Sequence, residues 1–364
     1  MKILIVGTGV DAWMTAAVLA TAARGVAEIA VQETAPPAED QRIALPALRG
    51  LHARLGIEVG TPLLALRHGG AVEPFGDTGA ALEGLSFHHY WLRARADGEP
   101  APLEAWSLTA QAAARGRFAA RSADPRSPLS TLDHGLLLDA VAYAQTLKAV
   151  ALKAGAEVVD HRPDADLVVD AAGEPGDWID WSAWLPGGAR LTGVESRVAT
   201  FAHDTPLKAG RRARAVTGNV VAVGGALAQI GAADGGDLHL LQTTVSRLAA
   251  LLPTGPAAVA EFNRLTALAV ERARDMAILR WGVLDAPPEE LAWKIEQFQS
   301  RGRVVMYDEE TWPEGAWTHA MLARGVVPKR WDPLVERTPL GAMREMLGRM
   351  KAVIERTAEA MPHV

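Results

Sequence analysis

Three small residues near the amino terminus stand where binding of a phosphate needs them. Residues 4–33 read LIVGTGVDAWMTAAVLATAARGVAEIAVQE, with Gly7, Gly9 and Ala12 in a G-x-G-x-x-A pattern between an apolar strand and an Ala-rich helix. Gly7 permits a tight turn, Gly9 lets the backbone approach a pyrophosphate, and Ala12 keeps helix and strand close. The helix N-terminus adds free N–H groups and the positive end of a dipole. A second strand at 28–32 is closed by Glu33, which lies 21 residues beyond Ala12, where an acid accepts hydrogen bonds from a ribose hydroxyl. Asp11 is the discordant residue, because a carboxylate beside a pyrophosphate repels it.

The elements that must position these residues follow from periodicity and composition. The 364 residues suit two or three domains, or one large α/β body with a subdomain. The spacing predicts helices over 45–56, 103–117, 136–154, 239–252, 257–281, 289–300, 315–323 and 339–360. It predicts strands over 87–96, 156–159, 166–170 and 219–224. The layout is α/β first and mostly α last. It gives a Rossmann-like domain over 1–255, with a small substrate-side insertion at about 60–165, and a helical region over 256–364 packed on it. A formal charge of −6 argues against nucleic acid or an anionic membrane as the main partner. No apolar run approaches the ~20 residues of a membrane span. The opening Met-Lys leads directly into a strand and gives no signal peptide, so a cytoplasmic location is expected. With no cysteine there is no disulfide, thiolate chemistry or Cys-based metal site.

Motifs beyond the fingerprint carry a resemblance. Gly7 to Ala17, GTGVDAWMTAA, is similar to a GGGTAGWMTAA opening. Glu73-Pro74-Phe75-Gly76, Phe87 to Arg93 (FHHYWLR), Trp181 to Pro186 (WSAWLP), Gly218 to Gly224 (GNVVAVG), Lys294-Ile295-Glu296 and Ser300 to Val304 (SRGRV) follow in order. Gly325-Val326-Val327-Pro328 and Asp332-Pro333-Leu334-Val335 complete the set. In this order and spacing the chain resembles the flavin-dependent tryptophan halogenase family. The resemblance implies a flavoprotein-monooxygenase-type FAD domain with a helical C-terminal part. It places Gly7, Gly9, Ala12, Trp13, Glu33, Gly173 and Gly224 at the FAD. It also makes several of the eleven Trp residues packing positions rather than a ligand site.

In that family the flavin supplies the oxidation, a lysine near the substrate directs the oxidant, and a glutamate stabilises charge developing on the arene. This chain departs at each part. The lysine position aligns with Arg67, and arginine stays protonated. The glutamate aligns with Asp234, and the neighbours that would hold a halide through backbone N–H groups are Gly235 and Gly236. Asp234 and Asp237 would repel an anion there. The usual proline before this loop is Ala232. The glycine-rich flavin strap aligns with Glu39 to Ala44 (EDQRIA), without a glycine. The W-x-W-x-I-P motif is absent, and only 32 residues separate Pro186 from Asn219, where the family has a substrate-covering sheet.

Several residues carry bland readings beside sharp ones. His88 and His89 read as structural, with no ligand-spaced partner for a metal. His239 reads as a cap or packing residue, and Trp178, Trp181 and Trp184 as packing. Asp170 to Gly173 resembles the strand end beside the FAD adenosine. Three functions remain open: a flavin-dependent oxidoreductase or monooxygenase that no longer halogenates, a non-catalytic binding protein or partner subunit, and an active halogenase with altered chemistry. The expected partners are a flavin reductase, an aromatic indole-like molecule or peptide, and a second copy or other chain covering apolar surface.

Overall fold

The computed structural model describes residues 1–34, 41–173 and 176–363. The chain divides into two units. Unit one comprises Met1–Thr61, Leu136–Ala189 and His203–Ala277. Unit two comprises Pro62–Gly135, Arg190–Ala202 and Ile278–Val364.

Unit one is built on a six-stranded sheet. Strand β1 (Lys2–Gly7) is central, flanked on one side by β2 (Glu28–Glu33) and then Glu157–Val158. Leu167–Asp170, Val220–Ala222 and Val216–Thr217 lie on the other side. Every pair is parallel except the last. Leu4, Ile5, Val31 and Val169 are fully buried, as strands covered on both faces require. Between β1 and β2 runs helix α1 (Gly9–Ala22), buried from Gly9 to Ala20 apart from Asp11, because small and apolar residues occupy nearly all its faces. It packs against the Ala140–Lys153 helix.

The expected helix over 136–154 begins later than its periodicity suggests. Gly135–Asp139 is a strand paired antiparallel with β3 (Gln41–Ala44), and Asp139 caps the helix by accepting the Ala142 N–H at 2.7 Å. Three consecutive leucines suit strand and helix equally, and the cap decides where one becomes the other.

In unit two, Ala65–His68 pairs parallel with the stretch beginning at Val198 and antiparallel with Ala71–Pro74. Residues 87–96 form a helix, Phe87–Ala96, and not the expected strand. Phe87 to Leu92 are all buried, so no alternation of faces exists and tertiary burial outweighs the β propensity of the aromatics. His88 and His89 are held structurally: His88 Nε2 lies 2.6 Å from the Gly302 carbonyl, and His89 Nδ1 accepts from the Asp332 N–H at 3.3 Å. The Leu340–Ala360 helix buries Met343, Leu347, Ile354 and Ala358, and the Leu347 carbonyl accepts from Trp106 Nε1 at 3.0 Å. The segment with the expected loss of sheet carries two nine-residue strands, Gly187–Glu195 and Val198–Pro206. No helix among the described residues is long and apolar enough to cross a membrane.

Candidate functional site

The carboxyl ends of β1, Leu167–Asp170 and Val220–Ala222 lie on one edge of the unit-one sheet. The chain leaves β1 toward β2 on one side, while its other neighbour is Leu167–Asp170. Such a reversal opens a crevice at the strand ends, where ligands of open α/β sheets bind. Gly7 has φ +151°, and a Cβ there would meet the Ala171 backbone carbon at 2.9 Å, so only glycine lets these two strand ends converge. Thr8 precedes α1 in extended conformation and makes no side-chain cap. The donors of the α1 N-terminus are thus not satisfied by its own cap residue.

Glu33 ends β2 directly opposite Gly7. Its carboxylate accepts from Trp13 Nε1 at 3.1 Å and from Lys148 Nζ at 3.0 Å. Lys148 also lies 4.8 Å from the Trp13 ring centroid. No sequence pattern points to Lys148: 115 residues separate it from Glu33, and helical periodicity alone does not say which face meets β2. Trp13 and Glu33, each a candidate from the sequence, are brought together. Asp170 is 2% exposed and accepts the N–H groups of Ala172 and Gly173 at 3.0 and 2.9 Å, with Arg212 Nη2 at 2.6 Å. This Asx-type turn shapes the strand end, and the Cα of Gly173 faces open space.

Asp11 turns its carboxylate onto the neighbouring loop. Oδ2 accepts the Gly225 N–H at 3.1 Å and Oδ1 accepts from Arg42 Nη2 at 3.2 Å. A Cβ on Gly224 would stand 1.9 Å from Asp11 Oδ2, so the space left by that glycine is filled by the carboxylate.

The loop before the Gly236–Leu251 helix closes on itself. The N–H groups of Gly235 and Asp237 both donate to the Ala232 carbonyl, at 3.2 and 3.1 Å. The Gly236 N–H donates to Asp234 Oδ1 at 3.2 Å, and Asp234 is fully buried. Burial pushes the Asp237 carboxyl up to about 6. Arg42 pulls it back down, and Asp234 and Asp11 push it further up.

Arg67 belongs to unit two, on Ala65–His68 opposite Thr200 and Val72. Beside it, His68 stacks between Phe201 and Trp281, with ring centroids 5.0 and 5.6 Å away. Of the aligned strap, Glu39 and Asp40 lie outside the described residues, and Gln41 to Ala44 form β3. Among the described residues no group of three metal-binding side chains comes together.

The family model for tryptophan halogenase matches residues 2–174 and 189–340. The chain belongs to the tryptophan halogenase family. A comparison with curated proteins gives no match. Among solved structures, BrvH, a flavin-dependent halogenase from Brevundimonas sp. BAL3, is 27% identical with a TM-score of 0.88, over 100% of this chain and 97% of that one. Xcc4156, a flavin-dependent halogenase from Xanthomonas campestris, is 20% identical with a TM-score of 0.87, over 100% and 96%. SttH, a tryptophan 6-halogenase from Streptomyces toxytricini, is 15% identical with a TM-score of 0.82, over 100% and 98%. The last two likenesses concern the fold.

Family membership implies FAD as the cofactor. Its nucleotide half fits the residues present in this family member: Gly7 and Gly9 at the turn, the uncapped α1 N-terminus for the pyrophosphate, and Glu33 with Trp13 at the end of β2. Glu33→Ala is expected to weaken FAD and ADP by the same factor, about tenfold, since both use this half-site. Isothermal titration checks this, and loss for FAD with ADP unchanged would show that Glu33 does not serve the ribose.

Proposed function

We propose that this family member is a flavin-dependent oxidoreductase that does not halogenate. One observation carries the reading: the N–H groups of residues 235, 236 and 237 all donate within their own loop, one of them to the buried Asp234 carboxylate. A halide arriving there meets engaged amides and negative charge. Arginine at 67, where the resemblance aligns the family's lysine, supports the same reading, because a guanidinium offers no nucleophilic nitrogen. Bound FAD would supply two-electron oxidation. The chain's own part is to hold it through the α1 N-terminus and Glu33.

With FAD, a flavin reductase, NADH and chloride or bromide, oxygen and NADH are expected to be consumed at a rate independent of halide, and neither tryptophan nor indole gains a halogen. A chlorine or bromine isotope pattern in the product's mass spectrum overturns the reading and restores the altered-site halogenase. An aromatic, indole-like molecule or peptide as substrate, a reductase partner and a cytoplasmic location belong to the same proposal. So does a dimer or hetero-complex, tested by light scattering at micromolar concentration.

The seating of Asp11 on Gly225 and Arg42 favours a second reading, a non-catalytic binding protein or partner subunit. A preparation that stays colourless and shows no flavin absorbance after FAD titration would decide for it.

A further inference from the structure

Lys148 reaches the acid that ends β2 from a helix far away in the chain. On the Ala140–Lys153 helix, Tyr143, Ala144, Leu147 and Ala151 are buried, and Lys148 borders that stripe. A long stem at such a border can follow the apolar contact while its ammonium reaches water. Here the ammonium donates to both Glu33 oxygens, Oε1 and Oε2, each at 3.0 Å. Trp13 Nε1 donates to Oε1 as well, at 3.1 Å. Trp13 is 2% exposed, which makes its N–H a fixed donor. The Lys148 ammonium lies 4.8 Å from the centroid of the same indole, so Trp13 steadies both members of the pair. All three residues belong to unit one.

The side chains of Lys148 and Glu33 are 25% and 36% exposed. A pair this open to water adds little to folding stability. Its geometry does more. A glutamate side chain at a strand end samples many rotamers, and holding it in one costs entropy. The lysine and the indole set the carboxylate plane before a ligand arrives, so that cost does not fall on binding. An ionised carboxylate has about four lone-pair positions. The contacts with Lys148 and Trp13 take three of them, which leaves room for a hydroxyl donor.

We infer that Lys148 is a positioning residue of the nucleotide half-site. It holds the Glu33 carboxylate in the plane that accepts from a ribose hydroxyl, and thereby sets the preference for a ribonucleotide over one without those hydroxyls. It acts through Glu33 and not by touching the ligand. The inference rests on the reading of Glu33 as the ribose acceptor of FAD and is independent of the closed loop at 235–237.

The test is isothermal titration of the full chain with ADP and with dideoxy-ADP, which lacks both ribose hydroxyls. The wild-type chain is expected to bind ADP about tenfold tighter than dideoxy-ADP. Lys148→Met keeps the stem and drops the ammonium. It is expected to weaken ADP about tenfold and to leave dideoxy-ADP within about twofold, so that the preference disappears. A general loosening of the fold would weaken both ligands together, and the ratio separates the two cases. Lys148→Arg restores a donor to Glu33 and should keep most of the preference. Glu33→Gln should remove the preference, and adding Lys148→Met to it should change nothing further, because the lysine acts through the carboxylate. If Lys148→Met does not fold by circular dichroism, Lys148→Gln decides on the same ratio. A preference that survives in Lys148→Met but is lost in Glu33→Gln overturns the inference and leaves the ribose reading standing. Equal weakening of both ligands in Lys148→Met overturns it too. A wild-type chain that does not distinguish the two ligands, or binds neither ADP nor FAD, sinks the ribose reading and the inference together.

Discussion

Lys294→Ala is expected to cost unit two about 3–5 kcal/mol, the usual loss when one partner of a buried ion pair is removed. Lys294 is 1% exposed, on the Glu289–Arg301 helix, and its ammonium donates to Glu310. Glu310 has a side chain 4% exposed, and its Oε1 is buried without a hydrogen-bond partner among the described residues. The ammonium also lies 3.6 Å from the Trp317 ring centroid and 5.0 Å from that of Tyr307. Alanine would leave the Glu310 carboxylate buried without its counter-charge and remove a desolvated cation–π contact. Lys294→Met separates charge from volume: it keeps most of the stem and should lose nearly as much. Adding Glu310→Gln should return part of the loss, since the uncompensated charge is then gone. Urea titration reads the effect, accompanied by a fall in Tm on the order of 10 °C. A loss under about 1 kcal/mol for Lys294→Ala would show that water reaches Glu310.

Acid is expected to unfold unit two before unit one. In unit two, burial pushes the His89 imidazole down to about 4, helped by the neighbouring charge of His88 and opposed by Asp332. His88 is lowered as well, by burial first, against the Gly302 carbonyl and Glu314, with His319 adding to the depression. A histidine whose folded pKa lies below its unfolded value of about 6.5 contributes its full stability above that pH. The contribution is lost as pH falls from 6.5 toward 4, because the unfolded chain takes up protons that the folded chain refuses. In unit one, burial likewise depresses His239, to about 4, a contribution of about 3 kcal/mol lost over the same window. Asp237 works in the opposite direction. With its folded pKa raised to about 6, the folded chain binds a proton first, and stability is gained as pH falls from 6 toward the ordinary carboxylate range. His239 and Asp237 nearly cancel in unit one, leaving His52, which burial lowers, whereas in unit two His88 and His89 act together against Asp77, which burial raises. Hydrogen exchange at pH 7 and pH 4.5 should show protection falling over residues 87–96 and 289–301 while β1 and α1 stay protected. Equal loss in both units would sink this assignment, and His89→Gln should flatten the unit-two response.

The local geometry around the candidate site is legible in the sequence. Gly7, Gly9, Ala12 and Glu33 are bound to local geometry: the turn, the helix start and the end of the next strand lie within one βαβ unit. Their positions therefore follow from spacing. The departures at Arg67, Asp234 and Gly235–Gly236 are legible as residue types. The resemblance in order and spacing suggests their positions without saying what their atoms touch. The strand expected at 87–96 fails for the reason that makes it a helix: six consecutive buried residues carry no period, so only packing chooses between the two conformations.

By itself the sequence determined the family, the α/β class and the glycine turn after β1. Tertiary structure alone decided that Lys148 meets Glu33, that Arg42 and Gly225 take the Asp11 carboxylate, and that the amides of 235–237 turn inward. The physical reason is range. A turn or a cap is set by neighbours a few residues away, and spacing reveals it. A charge's partner is set by which distant strand or helix packs against it, and for Asp11 and Gly225 that separation is 214 residues. In the folded chain the Asp11 carboxylate instead accepts from two donors, the Gly225 N–H and Arg42 Nη2, that no local pattern encodes.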